Sequence, residues 1–172
     1  RTISIRMKSI KILGLDPGLA STGYGIIEGS GNRYRHVVHG TIDTSPDTEI
    51  GDRLERIHDS LVDILRIHEP EAAGIESIFF AKNASSAIPV AEAVGVLLLT
   101  LRKHGTPVRE FSPQAIKLSL SGHGRSDKRQ MQELVRILLA LPEIPKPDHA
   151  ADALAAAICC YNTVSAERRI RG

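Results

Sequence analysis

Tryptophan is absent from the 172 residues, and phenylalanine and tyrosine occur only three times each. Any stacking on a ligand therefore has few side chains to draw on. Cysteine is scarcer still. The two present, Cys159 and Cys160, are neighbours in an alanine-rich apolar run, where a disulfide would be strained, so two small buried thiols and a reducing, cytoplasmic setting are expected. Neither charge sign is in large surplus: the formal net charge is +2, which excludes a general basic field and leaves any nucleic-acid partner to a local cluster of Lys and Arg. Long hydrophobic runs are also missing. The apolar stretch at 94–101 is interrupted by Gly95 and Thr100, falls short of the roughly 18 to 20 residues of a membrane span, and reads as a buried helix. The first residues lack the apolar core and cleavage site of a secretion signal, so no membrane partner is expected, and Met7 is a candidate start. No repeat, low-complexity tract or dividing linker interrupts the chain. One domain is expected, with a core over about 9–164 and flexible tails at 1–8 and 165–172.

What is there is an alternation of short apolar runs and helical periods. Residues 10–15 form a β-prone run stopped by Asp16-Pro17-Gly18. Two further β-leaning segments, 22–28 and 33–43, flank Gly29-Ser30-Gly31-Asn32, which predicts three consecutive antiparallel strands. From Thr48, apolar residues recur every three or four positions (Ile50, Leu54, Ile57, Leu61, Ile64, Leu65), the period of a helix ending near Pro70. Residues 72–78 read as a buried strand carrying one carboxylate, Glu76. A helix over 83–104, helical in period apart from Pro89, and a strand over 106–111 follow. Ser112-Pro113 then opens a helix, Ser126 caps another through Leu141, and a proline-punctuated connector leads to a last helix from Asp148 to about Val164. The pattern predicts an α/β fold: a mixed five-stranded sheet, first three strands antiparallel, with helices on both faces.

Three acids stand where a folded chain rarely leaves charge without purpose: Asp16 at a strand's end, Glu76 within a strand, and Asp152 in an alanine-rich helix. Each has an ordinary explanation. Asp16 before Pro-Gly suits a turn, Asp152 in a first helical turn suits the dipole, Asp148 after Pro147 suits an N-cap, and Glu76 could pair with an arginine. Taken together they form a hard-oxygen set suited to Mg²⁺, with Mn²⁺ as a substitute. Such a set fits phosphodiester hydrolysis by water with two ions per site. No Ser, Cys or Lys stands in an activated-nucleophile motif.

In order along the chain the motifs are Gly14-Leu15-Asp16-Pro17-Gly18 with Thr22-Gly23-Tyr24-Gly25, Ile75-Glu76-Ser77-Ile78-Phe79 with Ala81-Lys82-Asn83, and Asp148-His149-Ala150-Ala151-Asp152-Ala153-Leu154. The set strongly resembles the RuvC family of Holliday-junction resolvases, over residues 9–161. That resemblance implies an RNase H-like fold, a homodimer, a branch-migration helicase complex as partner, and symmetrical metal-dependent nicking of four-way junction DNA in recombination and repair. It maps an active-site tetrad onto Asp16, Glu76, His149 and Asp152. By that resemblance many family members carry Asp where His149 stands, while others are similar to this chain in having His. Asp148 and His149 both share a helical face with Asp152, so spacing leaves Asp148 open as cap or substitute ligand. The resemblance also points to DNA contacts at Phe79, Phe80, Lys82 and Asn83, with Phe79 the better wedge, and at Lys117 and Lys128, while the loop 119–128 could bring Arg125 and Arg129 to the same groove. Two other readings remain at this point: an actin-like or sugar-kinase ATPase, whose first phosphate strand shares Gly-x-Asp-x-Gly, and a DNA-binding module without catalysis.

Overall fold

The structure is a computed structural model that describes residues 8–77 and 84–171. Three strands come first: β1 (Ile10–Asp16), β2 (Ser21–Ser30) and β3 (Arg33–Asp43), each antiparallel to the one before. Gly31, at φ 60, turns the chain between β2 and β3. Helix α1 (Ile50–His68) then crosses the sheet, and β4 (Ala72–Glu76) enters beside β1 and parallel to it. Helix α2 (Ala84–His104) leads to β5 (Val108–Phe111), parallel to β4, giving the order β3-β2-β1-β4-β5. Three more helices follow: α3 (Pro113–Ser121), α4 (Lys128–Leu138) and α5 (Asp148–Arg171).

Alternation along the strands sends side chains to two cores. Leu13, Leu15, Ile26 and Ile75 pack under α1 and α2, whose buried residues include Ile57, Leu61, Leu65 and Leu97. Ile10, Ile12 and Ile27 face the other way, toward α5, with Ile116 of α3 and Val135 of α4 alongside. The mixed sheet with helices on both faces is as the sequence predicts. Cys159 and Cys160 are free, buried thiols in this second core, and burial pushes Cys160 up to about 12.

Three helix boundaries differ from the sequence reading, and β5 begins at Val108 rather than at 106. The cap of α4 is Asp127, not Ser126: the Asp127 carboxylate accepts from Gln130 N while Asp127 N donates to the Gln130 side chain, a reciprocal capping box, and Ser126 is buried instead. That helix ends at Leu138 rather than Leu141, because the chain turns through Ala140 at φ 51 and Leu141 N closes onto Arg136 O. Helix α5 runs on through 165–171, the stretch assigned to a tail. Its last turns are tied down by Arg168 to Glu71 (3.0 Å) and Glu167 to Arg109 (2.6 Å), partners that local periodicity cannot reveal.

The packing of α5 fixes the site's geometry. A Cβ on Gly14 would come within 1.8 Å of Ala153 O, and one on Gly23 within 1.9 Å of His149 O. Only glycine in the strands lets an alanine-rich helix lie with its backbone directly on the sheet. Among the described residues, no helix is long and apolar enough to cross a membrane.

Candidate active site

In β1, Ile12 and Asp16 lie an even number of residues apart, as do Ala72 and Glu76 in β4, so both acids point to the α5 side. Leu15 pairs with Ile75, which leaves Asp16 and Glu76 next in line at the carboxyl ends of neighbouring parallel strands. The first turns of α5 reach the same end, held there by the contact of Gly23 with His149. One sheet edge therefore receives side chains from three distant parts of the chain.

His149 Nδ1 lies 2.7 Å from Asp16 Oδ2, with the Asp16 side chain 13% exposed and the imidazole half-exposed. Burial raises the Asp16 carboxyl above the usual carboxylate range and Asp152 adds to this, against the pull of the His149 hydrogen bond. Glu76 is raised further, to about 7, by burial first and then by repulsion from Asp16 and Asp152, only partly offset by Lys128 and Lys117. Burial likewise raises Asp152, while Lys128 and His149 pull it down. No arginine forms an ion pair with Glu76 among the described residues, which removes that ordinary explanation. Glu76 and Asp152 line one cleft of about 150 Å³ with Lys117, Lys128 and Met131.

Asp148 is not a side-chain cap. Backbone N–H groups of Ala150 and Ala151 donate to Pro147 O, and Asp148 is the first helical residue. Its carboxylate accepts from Gln132 Nε2 at 3.0 Å and faces Lys128 Nζ at 3.4 Å, while the same ammonium stands 3.6 Å from Asp152 Oδ2. Gln132 was invisible to sequence reasoning. Its only signal is its position four residues after Lys128, on the same face of α4. Lys117 and Lys128 thus reach the acidic cleft, whereas Arg125, exposed in the 122–127 loop, does not line it. Phe79, Phe80, Lys82 and Asn83 lie outside the described residues.

Among the described residues, no three Asp, Glu, His or Cys side chains converge closely enough to hold a metal ion as they stand. The charge chemistry nonetheless fits a hard divalent cation. Three carboxylates are held above their ordinary range, by burial first and then by neighbouring carboxylates, and one lysine ammonium sits between two acids. Side-chain rotation is needed to close that set around an ion. A larger cleft, about 520 Å³, opens on another side of α4 between Leu120, His123, Arg129 and Ile137. Its two acids are already engaged, Asp127 as the cap of α4 and Glu133 with Arg136, and volume is a poor guide for a ligand as extended as a nucleic-acid strand.

Comparison with known proteins bears on this edge. The family model described as crossover junction endodeoxyribonuclease RuvC matches residues 12–160. A protein of that description from Treponema denticola is 50% identical over 151 residues, covering 88% of this chain and 85% of its own. One from Thermotoga maritima is 48% identical over 164 residues, covering 95% and 97%. Among solved structures, T. thermophilus RuvC in complex with a Holliday junction substrate superimposes with a TM-score of 0.87 at 32% identity, over 91% of this chain and 96% of that one. The yeast mitochondrial Holliday junction resolvase, at 12% identity and a TM-score of 0.65 over 97% and 85% of the two chains, shares the fold.

Proposed function

This chain belongs to the RuvC family of crossover junction endodeoxyribonucleases, and from that premise we propose how its own residues carry out the cut. The fold is RNase H-like, and the activity is that of a Holliday junction endonuclease acting in recombination. Hydrolysis is metal-dependent and symmetrical, with water as nucleophile. Asp16, Glu76 and Asp152 would hold Mg²⁺, with Mn²⁺ as substitute and two ions per site, and His149 would be the fourth member. Bound there, divalent ions supply an activated water and a counter-charge for the leaving oxygen. The side chains do the rest. His149 orients the Asp16 carboxylate through their hydrogen bond and, half-exposed, is placed to carry a proton. Lys117 and Lys128 grip the phosphate at the mouth of the cleft, Arg125 adds a phosphate contact from its loop, and Phe79, Phe80, Lys82 and Asn83 engage the junction centre.

One observation supports this reading above the others: strand and helix residues far apart in sequence present raised, mutually repelling carboxylates at a single sheet edge beside two lysines. A junction has two scissile strands, which two sites in a homodimer match. The exposed Ile88 and Leu99 on α2, with Gly95 opening onto free space between them, supply an apolar face for that pairing. A branch-migration helicase complex is the expected companion, and the two buried free thiols suit the reducing cytoplasm. The test is incubation of a synthetic four-way junction beside linear duplex with Mg²⁺, Mn²⁺ or chelator. Paired nicks in the junction alone, lost with chelator and with Asp16→Asn or Glu76→Gln while binding persists, are expected; cutting retained by either variant overturns the assignment.

A further inference from the structure

Asp148 has both oxygens engaged by α4. Gln132 Nε2 donates to Oδ1 at 3.0 Å, and Lys128 Nζ stands 3.4 Å from Oδ2. Lys128 and Gln132 are one helical turn apart on the same face of α4, and α4 is fixed against α5 by buried Met131 and Val135. The amide hydrogen bond therefore sets the orientation of the carboxylate, and the carboxylate sets where the ammonium can sit. At 3.6 Å from Asp152 Oδ2, Lys128 is shared between two acids rather than closed onto one. These groups are largely exposed, with Lys128 at 58% and Asp148 at 63%, so the contacts add little to stability. Their effect is on position.

We infer that Asp148, oriented by Gln132, is a positioning residue that holds the Lys128 ammonium partly off Asp152, leaving Asp152 free to exchange that internal cation for a divalent one while Lys128 stays over the cleft. This rests on the nuclease reading of the cleft, and it assigns Asp148 neither a capping nor a ligand role. Without Asp148, Lys128 closes onto Asp152 and competes with the metal.

A double-mutant cycle read by Mn²⁺ binding to the DNA-free protein, using calorimetry and the spin resonance of free Mn²⁺, tests it. Asp148→Asn weakens Mn²⁺ binding by on the order of fivefold, Gln132→Ala weakens it in the same direction, and Asp148→Glu restores it toward the parent value. In a Lys128→Met background, Asp148→Asn changes affinity by less than about twofold. An equal loss in both backgrounds makes Asp148 a direct ligand or a mere source of field and overturns the inference. If the parent protein shows no Mn²⁺ binding sensitive to Asp16→Asn, the nuclease reading itself fails, a result distinct from failure of the clamp alone.

Discussion

His149 and Asp16, 133 positions apart in sequence, are joined by a 2.7 Å contact between imidazole Nδ1 and carboxylate Oδ2. The bond lowers a carboxyl that burial otherwise raises. Removing the imidazole with His149→Ala lets the Asp16 carboxyl climb further, so the acidic limb of the cleavage pH profile moves to higher pH and the rate at neutral pH falls. Junction nicking measured across pH 5 to 9 checks this. An unmoved limb would deny the pair any part in tuning Asp16.

Glu76 carries the clearest pH signature. Its folded-state value of about 7 lies above the ordinary 4.5, so the fold favours the protonated acid. The stability this contributes is complete below about 4.5 and is lost as pH rises through about 7. Without metal, the melting temperature of the parent relative to Glu76→Gln should fall across that window and level off above it. Mg²⁺ should restore the parent selectively at pH 8. Thermal melts of both proteins at several pH values, with and without Mg²⁺, decide the matter.

The glycines under α5 make an opposite pair of predictions with Gly51. Gly14→Ala places a methyl group 1.8 Å from a helix carbonyl, an overlap that should cost about 3 kcal/mol or more. Gly51, near the start of α1 with nothing within 4 Å of an added Cβ, should gain roughly 0.5 to 1 kcal/mol as Ala. Urea denaturation of the two variants reads both signs in one experiment.

Lys117 and Lys128 should each account for about one phosphate contact. Replacing either by Ala lowers junction affinity and flattens the slope of log K against log salt by about 1. Filter binding at several salt concentrations measures it. An unchanged slope would place the lysine off the DNA path.

On α2, Leu99 is 60% exposed and Ile88 59%. Leu99→Glu should shift sedimentation from dimer to monomer without lowering the melting temperature of the isolated chain, and a dimer that persists would move the interface elsewhere.

The strands and their order of use were legible because apolar alternation and the Pro17-Gly18 stop are local signals. Asp16 and Glu76 could be singled out on the same grounds: a charge ending or interrupting a buried run is visible without a fold. The meeting of Asp148 with Gln132, the choice of Asp127 over Ser126 as cap, and the extension of α5 were not. Each depends on a partner from another element or on competition between adjacent polar residues, and a hydrophobic period carries neither. The contact of His149 with Asp16 depends on the register of α5 on β2, which Gly23 fixes and which no spacing within α5 contains.

That register has a mechanical consequence. Sliding α5 by one residue along its axis, about 1.5 Å, would drive alanine methyls and carbonyls into the strand backbone at Gly14 and Gly23. The helix bearing His149 and Asp152 is therefore seated in a single notch relative to the strands bearing Asp16 and Glu76. Accommodation of an incoming strand of DNA must come from torsions of individual side chains, with the scaffold beneath them acting as an unyielding bench.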